Sequence, residues 1–304
     1  MLCGVIELDG LTKRYGTRVA VDGLTVAVRP GVVTGFLGPN GSGKTTTLRC
    51  LLGLARPTAG TATVLGVPYR ELPRPMERVG ALVDPRARHP GRTARAHLAA
   101  LARSNALPAR RVDELLDLVG LSAVADDRVR GFSLGMAQRL GIAVALLGDP
   151  DVLVLDEPVN GLDPEGIRWV RELLRALAAE GRTVFVSSHL MSEMEDTADH
   201  LVVLGRGRLL ADVPMADLLG AHAVVRVRSP RAAQLAPALE RAGGQISVEP
   251  DGALRVAGIE PTDVGDLAFR VGAPVHELTR LTASLEAAYL ELTGDQVEYR
   301  AGAR

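Results

Sequence analysis

Short apolar runs alternate with helix-period patterns from Val5 to about Leu219, the texture of a layered α/β domain. Strands are predicted at Ile6–Leu8, Val19–Val28, Val32–Leu37, Ala62–Val64, Gly80–Val83, Val152–Leu155, Thr183–Ser187 and Leu201–Leu204. The unbroken run Val152-Leu153-Val154-Leu155 suits a strand buried on both faces of a mainly parallel sheet. Helices are predicted at Lys44–Leu54, Val112–Val119, Leu134–Leu147, Glu165–Ala179 and Ser192–Thr197. Between the strands at Gly80 and Val152 lies a long helical insertion, about 86–148, punctuated by Pro85, Pro90 and Pro108.

Beyond Leu219 the texture changes. Val224-Val225-Arg226-Val227-Arg228 alternates like a half-exposed strand. A helix is predicted at Ala232–Ala242, strands at Ile246–Val248 and Leu254–Val256, a helix at Thr262–Val271, a strand at Pro274–Leu278 and a closing helix at Leu281–Leu292. The expected organisation is a large α/β domain over 6–222 and a small α+β appendage over 223–304, both of ordinary domain size.

Composition narrows the class. At 304 residues and 47 % hydrophobic, the chain can build two real cores. A formal net charge of -1 argues against nucleic-acid binding driven by overall charge. Cys3 and Cys50 supply neither a disulfide framework nor metal-ligand spacing, which fits a reducing compartment. No window approaches the apolar length of a membrane span, so any membrane role is expected to run through a partner. Lys13 and Lys44 are the only lysines among 35 basic residues.

Lys44 stands in the most informative stretch, Gly38-Pro39-Asn40-Gly41-Ser42-Gly43-Lys44-Thr45, between an apolar strand and a helix start. Strand, glycine-rich loop, lysine and hydroxyl form the pattern of a P-loop. Glycines let successive N–H groups turn inward around phosphate oxygens. Lys44 supplies a point charge for the β- and γ-phosphates, Thr45 offers a hydroxyl to Mg²⁺, and the helix adds its positive end. The chain therefore binds a nucleoside triphosphate. A second apolar strand ends in Asp156-Glu157, which brings one acid toward the Mg²⁺ shell and the other toward a water facing the γ-phosphate.

Three weaker pieces follow: Phe132-Ser133-Leu134-Gly135-Met136-Ala137-Gln138 before an apolar helix, Asn160-Gly161-Leu162-Asp163-Pro164 after the acids, and Ser187-Ser188-His189 after a strand. Singly, the first is an ordinary capped core helix and the last a structural histidine. Together, in this order, they resemble the nucleotide-binding subunits of ABC transporters over roughly Ile6 to Leu219. Gly38–Thr45, with Thr46 after it, matches Walker A; Phe132–Met136 is similar to the signature loop of drug-exporter (multidrug and antibiotic-resistance) ATPases. Leu153–Glu157 matches Walker B, Asn160–Pro164 the D-loop, His189 the switch histidine, and Tyr15 the aromatic residue that stacks on adenine.

The resemblance implies a P-loop NTPase fold of ABC type, a mixed sheet core with a helical subdomain, carrying a small C-terminal α+β domain. It implies ATP and Mg²⁺ as cofactors and two copies closing head to tail. Ser133 and Gly135 of one would then touch the γ-phosphate held by Walker A of the other, with Glu157, His189 and Lys44 catalytic. It also implies an integral permease as partner, a peripheral place on the cytoplasmic face of the membrane, and export of a hydrophobic or amphipathic compound. The alternative is a soluble ABC-type ATPase acting on ribosomes or DNA; such chains commonly carry two nucleotide domains or long coiled coils, and here there is one Walker A and no sustained heptad.

Two positions depart from the family pattern. Asp84 stands where Gln or Glu is usual, shorter by one methylene, and is assigned to the metal or its water; Val159 replaces a small hydroxyl residue. Both resemble a sub-branch of exporter ATPases from high-GC bacteria. The stretch after Asp84 carries Arg86, Arg88, His89, Arg92, Arg95 and His97 without an acid, and no interleaved aromatics for base stacking. It is expected to face the permease and the anionic cytoplasmic leaflet.

Overall fold

The computed structural model describes residues 4–84, 87–221, 223–281 and 284–293. The chain divides between Val213 and Pro214 into two compact units.

In the first unit, β1 (Ile6–Tyr15) and β2 (Arg18–Val28) form an antiparallel hairpin. β3 (Val33–Leu37) passes through the glycine-rich loop into α1 (Lys44–Leu51), and β4 (Ala59–Val64) returns to the other edge of β1. The short α2 (Pro75–Arg78) leads into β5 (Val79–Leu82). The insertion folds as α3 (Ala94–Ser104), α4 (Arg111–Leu118) and α5 (Leu134–Leu146). Then come β6 (Val152–Asp156), α6 (Pro164–Ala179), β7 (Thr183–Ser188), α7 (Met191–Thr197), β8 (His200–Gly205) and β9 (Arg208–Pro214).

The strands make a three-stranded sheet, β2-β1-β4, and a six-stranded sheet, β5-β6-β7-β3-β8-β9. β5, β6, β7, β3 and β8 pair in parallel, in that order. β3, β6 and β7 are buried at every position, because both faces of a parallel sheet are covered. Phe36 and Phe185 meet across β3 and β7 with ring centroids 5.0 Å apart and tilted by 33°, a favourable aromatic geometry. Parallel strands deliver their C-terminal ends to one edge, and there the loops after β3, β6 and β7 gather.

α5 lies close against β5. A Cβ added at Gly80 would come within 2.0 Å of the Ala145 carbonyl oxygen, and one at Gly141 within 2.6 Å of a Leu82 methyl. Gly80→Ala is therefore expected to push α5 off the sheet and to cost about 1–3 kcal/mol, the usual range for overpacking. A chemical-denaturation midpoint equal to wild type would contradict this contact.

The second unit holds α8 (Met215–Ala221), β10 (Val224–Arg228), α9 (Ala232–Arg241), β11 (Gln245–Val248), β12 (Leu254–Ala257), α10 (Pro261–Arg270), β13 (Glu277–Leu281) and α11 (Leu285–Thr293). α8 precedes the change of texture and packs on α11. The strands form an antiparallel sheet, β11-β12-β10-β13, in a βαββαβ order. Its core holds Val225, Val227, Leu235, Leu239, Leu254, Val256 and Val264. Arg226, of opposite parity on β10, binds Glu249 at 2.7 Å and also pairs with Asp251 and Glu277. Three carboxylates raise its pKa, first through the hydrogen bonds that Arg226 donates to Glu249 and Glu277.

Three expectations shift. The first strand runs ten residues rather than three, its apolar rhythm broken by register shifts between Leu8 and Leu11 and again near Lys13. The last strand is Glu277–Leu281 rather than Pro274–Leu278; Pro274 has no N–H to donate, and Glu277 to Leu281 pair in register with Arg228 to Val224. β9 had no expected counterpart.

Candidate functional site

The loop after β3 is shaped by glycines at its two tightest points. At Gly43, φ is +108°, and a Cβ would meet the Ala20 carbonyl oxygen at 2.5 Å; at Gly38 a Cβ would meet the Leu204 carbonyl oxygen at 2.6 Å. The loop thus sits pressed between the β1–β2 hairpin and the end of β8. Lys44, the first residue of α1, is 6 % exposed, and its Nζ donates to the carbonyls of Gly38 and, at 3.4 Å, Pro39. Burial lowers the Lys44 pKa, while Glu157 and Asp156 oppose that shift. Ser42 Oγ is buried without a hydrogen-bond partner. A buried hydroxyl left open beside a lysine suits a loop built to surround something not of the protein.

β6 ends at the same place. Asp156 is buried, and its Oδ2 accepts the Thr45 hydroxyl proton at 2.6 Å, while Ser187 Oγ on β7 donates to its Oδ1. Thr45 and Asp156 thereby present two oxygens at one point, a donor set suited to a hard divalent cation. Glu157 follows with φ +50°, the left-handed region. Its N–H binds the Ser187 carbonyl at 3.2 Å and Ser187 Oγ at 3.0 Å. Its carboxylate lies 3.7 Å from Lys44 Nζ and 2.7 Å from His189 Nδ1. Next to them Glu193 accepts from Ser188 Oγ at 3.2 Å, and burial raises its pKa.

Lys44, Thr45, Glu157 and His189 line an open cleft of about 700 Å³ with Tyr15, Arg18, Ala20, Asn160 and the loop from Pro39 through Asn40, Gly41, Ser42 and Gly43 to Thr46. Tyr15, at the end of β1, is 49 % exposed with Lys13 Nζ 4.8 Å over its ring. Of the residues singled out from the sequence, the structure brings together the loop, Lys44, Thr45, Thr46, Glu157, His189 and Tyr15, with Asp156 behind Thr45.

Ser133, Gly135 and Asp84 do not line that cleft. Ser133 is exposed and caps α5, its Oγ accepting from Met136 N at 3.2 Å. Gly135 lies against the loop after β6, where an added Cβ would be 3.0 Å from the Gly161 carbonyl oxygen. Asp84 lines a separate, mainly apolar cavity of about 400 Å³ with Arg49, Arg88 and His97. His97 lies on α3 and is buried; burial and then Arg92, Arg88 and His89 lower its pKa. Arg95 pairs with Asp113 and Asp126, so the stretch after Asp84 is less uniformly basic in space than along the chain. Arg86 lies outside the described residues.

Sequence reasoning gave no role to Arg18, Ala20 or Ser187, which reach the site only through strand pairing. Gln138 is a fourth: its Nε2 donates to the Glu157 carbonyl at 2.8 Å. The one available signal was a polar residue on the apolar face of α5.

Comparison with known proteins gives a consistent picture. The family described as "ABC transporter" matches residues 21–160, and a domain of unknown function matches residues 223–286. The bacitracin transport ATP-binding protein of Bacillus licheniformis is 43 % identical over 217 residues, covering 70 % of this chain and 71 % of that protein. The Nod factor export ATP-binding protein I of Paraburkholderia xenovorans is 37 % identical over 305 residues, covering 96 % and 98 %. A solved ATP-binding subunit of an ABC transporter superposes with a TM-score of 0.65 at 27 % identity, over 70 % of this chain and 91 % of that one.

Proposed function

Because the chain belongs to the ATP-binding subunits of ABC transporters, we propose that its ATPase activity powers an exporter of a hydrophobic or amphipathic compound. Efflux would run through a separate integral membrane permease, with this subunit held peripherally at the cytoplasmic face. One relative named for Nod factor export supports the direction, and another named for bacitracin transport supports the transport role. Among the described residues no helix is long and apolar enough to cross a membrane, in keeping with a partner that supplies the path.

The observation that carries the reading is the division of the motifs. Lys44, Glu157 and His189 share one cleft, while Ser133 stands exposed outside it. A helix N-terminus preceded by an exposed serine is a ready anion contact for another molecule. In the proposed assembly two copies meet head to tail, and Ser133 and Gly135 of one complete the nucleotide site of the other. Tyr15 stacks on the adenine, and the N–H groups from Gly38 to Thr46 surround the phosphates with Lys44.

Thr45 and Asp156 would hold Mg²⁺, which supplies charge neutralisation on the β- and γ-oxygens. Asp84 would act on the metal or its water only through an intervening group, since it opens on the separate, mainly apolar cavity. Glu157 orients the attacking water and takes up its proton; His189, hydrogen-bonded to that carboxylate, fixes its direction and contacts the γ-phosphate. Arg88 and Arg92 are assigned to the permease and the anionic leaflet.

Purification of the chain from its native membranes in mild detergent tests the reading. An integral membrane protein is expected to accompany it in a fixed ratio; ribosomes or DNA in its place would overturn the export assignment.

A further inference from the structure

Glu157 is held in a left-handed backbone conformation that its own residue type does not favour, with φ at +50°. Two sides of its peptide are tied down. The N–H side is bound to Ser187, and the carbonyl side accepts Nε2 of Gln138 at 2.8 Å. Gln138 is 1 % exposed and lies on α5, the helix that Ser133 caps. Its Oε1 is buried with no hydrogen-bond partner. A side chain that only filled space there would be apolar, since an orphaned amide oxygen opposes folding. The orientation of the amide is dictated by its neighbour, because the Glu157 carbonyl can only accept.

We propose that Gln138 is a positioning residue for catalysis, whose amide locks the Glu157 peptide in its left-handed turn and so aims the carboxylate at the attacking water. The inference rests on the reading of Glu157 as the group that orients that water. It adds a mechanical link: the helix whose first turn is offered to a second subunit also grips the backbone of the hydrolytic glutamate in its own.

Two substitutions separate positioning from packing. Gln138→Leu keeps the volume and removes the donor. It is expected to lower kcat by roughly 100-fold, the scale of an ångström-level misplacement, while the ATP dissociation constant stays as in wild type. Gln138→Glu keeps the shape and donates only when protonated, and a buried carboxyl holds its proton well above the usual range. Its kcat relative to wild type, measured at each pH, is expected to rise as pH falls. A packing role would give a flat ratio.

Wild-type kcat in Gln138→Leu, or a pH-independent ratio in Gln138→Glu, would overturn the proposal. Should Gln138→Leu fail to fold, the pH series of Gln138→Glu decides alone. Undiminished turnover in Glu157→Gln would overturn instead the reading of Glu157 on which this rests, and so tells the two failures apart.

Discussion

Glu157→Gln is expected to lower ATP turnover by about 10²- to 10⁴-fold, the usual contribution of a positioned general base. Binding of ATP should survive. The side chain sits at the mouth of the cleft, 22 % exposed, with one oxygen 3.7 Å from Lys44 Nζ and the other 2.7 Å from His189 Nδ1. An amide of the same shape keeps the hydrogen-bonding geometry toward His189 and loses both proton affinity and charge. The lost charge has a second effect. A carboxylate facing the γ-phosphate repels it, so its removal should favour the closed, nucleotide-loaded pair of subunits. Phosphate release measures the first effect, and size-exclusion chromatography with ATP measures the second. Normal turnover in the folded variant would remove Glu157 from the mechanism.

Lys44→Met should act one step earlier, on binding. The side chain is buried at the start of α1, and burial lowers its pKa, while Glu157 and Asp156 oppose that shift. Phosphate oxygens entering the loop offer a stronger match than the backbone carbonyls it now contacts. Hydrogen bonds to charged groups are worth about 1.5–3 kcal/mol, so ATP affinity should fall roughly 10- to 150-fold. Lys44→Arg should not restore it, because a planar fork does not fit where a compact ammonium is packed. Titration with a fluorescent ATP analogue checks both variants; affinity unchanged in Lys44→Met would refute the assigned role. The two glutamate and lysine variants thus fail at different stages, one at turnover and one at occupancy.

How far the fold could be read from sequence depended on how local each signal was. The strand, loop and lysine at Val33–Lys44 lie in one continuous stretch, and nothing distant is needed to recognise them. β6 announced itself as an unbroken apolar run ending in acids. By contrast β9 was invisible, because its residues are half-exposed and carry no apolar rhythm. Tyr15 was legible only through the family resemblance, and it is an exposed ring on the cleft wall. Its place depends on β1 running past its irregular middle to the hairpin end. Ser187 reaches Asp156 only because β6 and β7 pair with those two residues side by side. Gln138 closes the stretch that begins at Phe132, but its reach to Glu157 across 19 residues of chain is set by how α5 packs. Ser133 was legible as a cap, and it is one.

The scarcity of lysine has a practical side. Lys13 Nζ donates to the Arg56 carbonyl at 2.7 Å and covers the Tyr15 ring, while Lys44 closes the phosphate loop. Every side-chain amine in the chain therefore stands in the cleft or against its wall. Acylating reagents, which elsewhere scatter over a protein surface, meet only two side-chain amines here, one shielded by an aromatic ring and one by the loop. Peptide mapping after brief acylation, which separates these two lysines from the terminal amine, becomes a direct count of accessible cleft amines, and a lysine-specific protease can cut only at the edge of that same cleft. The molecule carries its own occupancy label, written in the residue it otherwise avoids.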